Sequence, residues 1–200
     1  MKKVYITNGS AENGKDTFAE FLGKYISVYK YSSIDLVKEM FEVVGISKND
    51  KTEKKRKLWS DGKDLLTRYD DIPFKDITSI VTDFKNNKIE GEVLLIDIRE
   101  PEEITRAVEA FGAETILVRK PNTKKIESNH ADANVENYEY DYIIENNGSL
   151  EQLDYVAHKF VDEVINCKER LFGSSHIIYN PTTKKVTTVF TANKMLRRSV

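Results

Sequence analysis

Lys3-Val4-Tyr5-Ile6-Thr7-Asn8-Gly9-Ser10-Ala11-Glu12-Asn13-Gly14-Lys15-Asp16-Thr17-Phe18 reads as a short apolar strand, a glycine-bearing turn and the opening of a helix. That order is where a phosphate-binding P-loop belongs. Gly9 and Gly14 let the backbone curl so that successive N–H groups point at phosphate oxygens, and the helix N-terminus adds partial positive charge. Lys15 is placed to reach the terminal phosphates. The strict loop carries Ser or Thr directly after its lysine to set a hydroxyl on a metal ion. Here Asp16 stands in that position and Thr17 follows, so metal binding falls to Thr17, Asp16 or waters that they hold. The plainer alternative is a strand-to-helix turn that binds nothing.

Working outward, β-rich runs occur at Val4 to Thr7, Val28 to Ser32, Val93 to Asp97, Thr115 to Val118 and Tyr142 to Ile144. Stretches of helical periodicity separate them. Phe18, Phe21, Leu22, Tyr25 and Ile26 share one face, as do Ile77, Ile80, Val81 and Phe84, and Ile104, Ala107, Val108 and Phe111. The alternation predicts an α/β fold with a parallel sheet and helices on both faces. Leu153, Val156, Ala157, Phe160, Val161 and Val164 form the stripe of a last long helix, with Ser149 placed as its N-cap. The run SKNDKTEKKRK, ending at Lys57, has no apolar periodicity and predicts a solvated loop that enters a helix at Leu58 and Trp59. After Gly173 the period changes to two, with HIIY and VTTVF flanking Asn-Pro-Thr-Thr-Lys-Lys, which predicts a hairpin outside the βα alternation.

Composition bounds the function. Of 200 residues, 32 % are charged and 40 % hydrophobic, enough apolar material for one sizeable core. No apolar run approaches the roughly 18 residues of a membrane span, and Met-Lys-Lys leads into a strand, so neither export nor membrane insertion is expected and the expected location is cytoplasmic. Cys167 is the single cysteine and cannot form an internal disulfide. A net charge of −2 argues against a protein that wraps polymeric nucleic acid. His158 and His176 lack partners at metal-ligand spacing, so no zinc or iron site is indicated.

A second element supports the first. Gly91-Glu-Val-Leu-Leu-Ile-Asp97 is a buried strand ending in a carboxylate, where P-loop proteins hold magnesium. Arg99 follows and can project from the same strand end toward a phosphate, or form a surface ion pair with Glu102 or Glu103.

Gly14-Lys15-Asp16-Thr17, Asp97-Ile-Arg99-Glu-Pro101-Glu-Glu103, Val118-Arg119, His130 and Asp141-Tyr-Ile-Ile-Glu-Asn146-Asn147-Gly148-Ser149-Leu150 resemble the deoxynucleoside monophosphate kinases of phage type. They are partly similar to animal-type phosphomevalonate kinase, and the likeness spans residues 4 to about 160. The chain departs from that pattern at Glu100 and Glu102, where the family carries Phe and Asn, and at Asp132-Ala133, where it carries Ser-Glu.

The resemblance implies a three-layer αβα P-loop nucleotide kinase with a five-stranded parallel sheet over residues 1–172, to which the period-two tail over 173–200 adds a hairpin extension. An acceptor-binding helical segment covers about 33–75 and a lid about 119–140. It implies Mg2+ as cofactor, ATP as donor, and a small monophosphate acceptor as the other partner, with a homodimer left open. Donor contacts fall on Gly9, Ser10, Asn13, Gly14, Lys15, Asp16, Thr17, Asn146 and Gly148. Asn146-Asn147-Gly148 is also readable as a turn and helix cap. Magnesium falls to Thr17, Asp16 and Asp97, and Lys15, Arg99 and Arg119 are the catalytic candidates. Acceptor contacts fall on Asp35, Lys38, Arg56, Arg68, Asp97 and Arg99. Asp35 reads equally as a helix cap and Lys38 as solvated; Arg forks suit phosphate better than the neighbouring lysines. Trp59 and Tyr69 read either as walls for a base or as core. Lys120, Lys124, Lys125 and His130 crowd the lid. The rival readings are a kinase for another phosphorylated metabolite and a P-loop nucleotide-binding protein without transfer activity.

Overall fold

The structure is a computed structural model that describes residues 2–10, 12–49, 52–120, 135–166, 175–180 and 185–191. Ala11, Cys167 and most of the expected lid, with Lys124, Lys125 and His130, lie outside the described residues. The five expected strands are all present: β1 (Lys3–Asn8), β2 (Val28–Ser32), β3 (Val93–Asp97), β4 (Glu114–Arg119) and β5 (Tyr142–Glu145). They pair in parallel in the order β2-β3-β1-β4-β5. The C-terminal hairpin, β6 (Ser175–Asn180) and β7 (Lys185–Thr191), extends the same sheet. β7 pairs in parallel with β5, so the sheet has seven strands, six of them parallel, with β6 as an antiparallel edge, where five were expected. The difference arises because the inward residues of VTTVF have a core to join. Val189 and Phe190 are almost fully buried, and Phe190 packs edge-on against Phe160.

Strand alternation sends successive residues to two cores. On one face Tyr5, Leu95, Ile116, Val118 and Ile144 pack beneath α1 (Lys15–Leu22) and α6 (Leu150–Phe160). On the other, Val4, Ile6, Leu94, Ile96 and Leu117 meet α4 (Ile72–Lys85) and α5 (Pro101–Phe111). Ser149 caps α6 as expected, in a reciprocal box: its hydroxyl accepts from Gln152 N at 3.4 Å and its N–H donates to Gln152 Oε1 at 2.7 Å. Beyond Phe160 the helix widens into a π-helical turn over Val161–Ile165.

Between β2 and β3 run α2 (Asp35–Val43), α3 (Glu53–Asp70) and α4. α3 starts five residues before the expected entry at Leu58, because Thr52 caps it by accepting from Lys55 N. The Lys-Arg run then serves as a charged outer face of good helix formers. Among the described residues no helix is long and apolar enough to cross a membrane.

Candidate active site

The parallel strands end along one edge of the sheet, where their registers align Thr7 and Ser32 with Asp97, and Glu145 with Arg119. That edge is where open α/β sheets bind ligands. β1 leads there through Asn8 into the glycine turn, and α1 begins at Lys15, with Phe18 N bonded to Gly14 O at 2.8 Å.

Both glycines are required by geometry. Gly14 has φ +88°, a left-handed conformation that side chains rarely adopt, and a Cβ there would fall 2.4 Å from Asn146 Nδ2. A Cβ on Gly9 would fall 2.6 Å from the carbonyl oxygen of Val118, a backbone atom of the neighbouring strand β4. The turn is braced twice more. Asn13 N donates to Ser10 O at 3.3 Å, and Asn146 Nδ2 donates to Asn13 O at 3.0 Å. Asn146 therefore touches the loop directly, while Gly148 is exposed beside the cap of α6.

Beneath the loop stands a cluster of charge. Lys15 Nζ is hydrogen-bonded to Asp97 Oδ2 and lies 3.4 Å from Asp16 Oδ1. Thr7 Oγ1 donates to the other Asp97 oxygen. Lys30, from β2, donates to Asp16 Oδ1 and lies 3.6 Å from Asp97 Oδ2. Burial works against the Lys30 charge, but Asp97 and Asp16 outweigh it and hold the ammonium above the ordinary lysine value. The structure thus brings Lys15, Asp16 and Asp97 together, with Thr17 half-buried on the first turn of α1. Lys30 was missed because a lysine in a short strand reads as a solvent-facing residue.

Asn8 is a second residue that sequence reasoning passed over. It is 1 % exposed and all its polar atoms are used. Oδ1 accepts from Gly9 N at 2.8 Å, and Nδ2 donates to Arg99 O at 3.2 Å and to Tyr140 Oη at 2.8 Å. Tyr140 in turn donates to Val135 O at 2.7 Å. Asn8 therefore ties the glycine loop to the strand end carrying Arg99 and to the chain returning into β5. Burial pushes the Tyr140 phenol well above its usual range, so it remains a neutral donor.

The catalytic candidate Arg119 is engaged by a carboxylate of the neighbouring strand. Its Nη2 donates to Glu145 Oε1 at 2.5 Å across the β4–β5 pair, and Thr191 Oγ1 of β7 donates to the other Glu145 oxygen at 3.3 Å. Arg119 Nε is buried with no acceptor among the described residues.

The acceptor candidates divide. Asp35 is not the cap of α2, whose N-cap is Ile34, but its first helical residue: Oδ2 accepts from Ser32 N at 2.9 Å and Oδ1 from Lys38 Nζ at 2.7 Å, so Lys38 is paired rather than solvated. Trp59 is core, 2 % exposed, under the Lys38 ammonium at 5.8 Å, whereas Tyr69 is 80 % exposed and belongs to no core. Lys63, not foreseen, is bonded to Ser33 Oγ at 3.1 Å and to Glu103 of α5. Arg56 lies two turns before Lys63 on the same face of α3; Arg68 is exposed and ~140° around the helix from it. The geometry therefore sets Arg56 on the face that carries Lys63 and sets Arg68 apart.

No protein-family model matches the chain, and no match is found among curated proteins. Among solved structures it is similar to shikimate kinase from Aquifex aeolicus, at 15 % identity over 76 % of this chain and 91 % of that one, with a TM-score of 0.45. It is similar also to an unliganded sugar kinase from Janibacter sp., at 12 % identity over 84 % of this chain and 99 % of that one, with a TM-score of 0.46.

Proposed function

We propose that the chain is a magnesium-dependent ATP kinase that passes the γ-phosphoryl group to the phosphate of a small monophosphate, a (deoxy)nucleoside 5′-monophosphate, giving the diphosphate and ADP. The observation that carries this reading is the convergence of Lys15 and Asp97 under a loop closed by Gly9 and Gly14. A lysine on the first turn of a helix, a strand-end carboxylate and a loop whose glycines admit no side chain form a phosphate cradle.

The residues present fit magnesium. Asp97, Asp16 and the Thr17 hydroxyl offer hard oxygen ligands, and ammonium groups already stand against both carboxylates, so the site is shaped to hold positive charge. Few protein ligands suffice, because this ion keeps waters and takes phosphate oxygens for the rest. When bound it would neutralise the negative charge that develops on the phosphates during transfer.

The chain's own residues supply positioning and electrostatic stabilisation, which is most of what phosphoryl transfer needs. Lys15 moves from Asp97 to the terminal phosphates. Arg99 approaches from the end of β3, and Arg119 joins once phosphate charge outcompetes Glu145. Asn146 and the α6 cap flank the donor. Arg56 and Lys63, on one face of α3, meet the acceptor phosphate, with Asp35, Lys38 and Arg68 at the margins of that segment. The departures at Glu100 and Glu102 leave the identity of the acceptor to the assay, which therefore includes phosphomevalonate beside the nucleotides.

The test is ADP release from Mg-ATP against dAMP, dGMP, dCMP, dTMP, the ribonucleoside monophosphates and phosphomevalonate. Turnover on a nucleoside monophosphate supports the proposal. Turnover on phosphomevalonate alone replaces its acceptor, and ATP binding with silence across the panel removes transfer.

A further inference from the structure

Two carboxylates and two ammonium groups meet beneath the P-loop, and the nucleotide reading uses only one of the ammoniums. Lys30 stands in the middle of β2, paired with Leu95, two positions before the residue in register with Asp97. Its stem therefore runs along the strand to bring Nζ onto Asp16 Oδ1 and to 3.6 Å from Asp97 Oδ2. Lys15 Nζ contacts the same two oxygens. The four formal charges cancel with no ion present. The Lys30 side chain is 37 % exposed, so it can swing into water, which Thr7, holding the inner Asp97 oxygen, cannot do.

We propose that Lys30 is the resident counter-cation of the Asp16–Asp97 pair in the nucleotide-free protein, and that a divalent cation enters this site by displacing it. The inference rests on reading the site as one for a magnesium-nucleotide. A free divalent ion must evict an ammonium that has nowhere to go but solvent, so the empty protein binds it weakly. An ion that arrives on a nucleotide brings phosphate oxygens to which Lys15 and Lys30 transfer, so each displaced ammonium finds a new anion. Metal and nucleotide therefore enter together rather than metal first.

The test titrates Mn2+, alone, into the nucleotide-free full chain and follows free Mn2+ by electron paramagnetic resonance. Lys30→Met binds Mn2+ about twofold to fivefold more tightly than the unaltered chain, the scale of losing one half-exposed ion pair. Lys30→Arg stays as weak as the unaltered chain, and Asp97→Asn added to Lys30→Met abolishes the gain. Lys30→Gln gives the same readout should Met disturb the fold, which thermal unfolding checks. Equal Mn2+ affinity in the unaltered chain and in the folded Lys30→Met or Lys30→Gln variant overturns the proposal. No turnover is read here, so the outcomes separate: a Mn2+ gain without phosphoryl transfer to any acceptor defeats the kinase reading alone, and transfer with no Mn2+ gain defeats the exchange alone.

Discussion

Lys15 and Asp97, 82 residues apart in sequence, meet through a hydrogen bond between Nζ and Oδ2, with both side chains about five-sixths buried. One opens α1 and the other ends β3, so the contact fixes the glycine loop over the centre of the sheet. Lys15→Ala leaves Asp97 with Thr7 and Lys30, which lessens the loss of a mostly buried pair to about 1–3 kcal/mol, a Tm drop of about 2–12 degrees for a chain of this size. Turnover should fall at least about 100-fold. Calorimetry and ADP release on the same preparation check both halves.

The two loop glycines should fail differently. At Gly9 an added Cβ meets the backbone oxygen of Val118, which cannot yield without shifting β4, so Gly9→Ala should destabilise the whole domain by about 2 kcal/mol or more. At Gly14 the obstacle is the end of the Asn146 side chain, which can rotate, so the cost is a left-handed alanine, about 1 kcal/mol, and the loss of the Asn146–Asn13 hydrogen bond, about 1 kcal/mol more. Gly14→Ala should therefore lose ATP affinity as well as stability. Thermal unfolding and ATP titration of the two variants distinguish them.

Much of the architecture was legible because it is local. The apolar run before Gly9, the stripe Leu153-Val156-Ala157-Phe160 and the Ser149 cap each announce themselves within a few residues. The partner of β7 was not legible: VTTVF spells a strand, but its pairing with β5 is a long-range choice made by Phe190 finding the core under α6, with Val189 buried on the opposite face. The site shows the same divide. Lys15, Asp16 and Asp97 came from spacing, whereas Lys30, Lys63 and Glu145 act through partners 14, 40 and 26 residues away. Arg119 was readable as a cation at a strand end but not as one captured by Glu145 in the neighbouring strand. Asn8 looked like the last residue of a strand, and only the fold shows that it closes three contacts at once.

Stability should decline in alkali through two tyrosines. Tyr140 is raised by burial, and Tyr31 by burial and by donating its hydroxyl to the Asp76 carboxylate, so both stay protonated in the native state above the usual 10.0 at which the unfolded chain ionises. A raised native pKa contributes stability that is complete below pH 10 and erodes as pH rises toward the native value. Tyr140→Phe should remove a slope of up to about 1.4 kcal/mol per pH unit above pH 10. It should also cost about 1–2 kcal/mol at neutral pH, because Val135 O loses its donor. Urea unfolding between pH 8 and 11.5 reads both effects.

Lys63 and Glu103 join α3 to α5 with 16 % of each side chain exposed. Glu103→Gln should cost about 1–3 kcal/mol by leaving a partly buried ammonium underpaired. The freed Lys63 should also change KM for the acceptor while leaving KM for ATP unchanged. A double-mutant cycle with Lys63→Met isolates the pair, and equal shifts in both KM values would detach it from the acceptor.

The most direct test of the central claim follows the phosphoryl group itself. The protein is incubated with magnesium and ATP labelled at the γ-phosphate, together with each nucleoside monophosphate, and the products are separated. The account predicts label on the terminal phosphate of a nucleoside diphosphate, absent with Lys15→Ala. Label that stays in ATP, or appears only in inorganic phosphate for every acceptor, would contradict it.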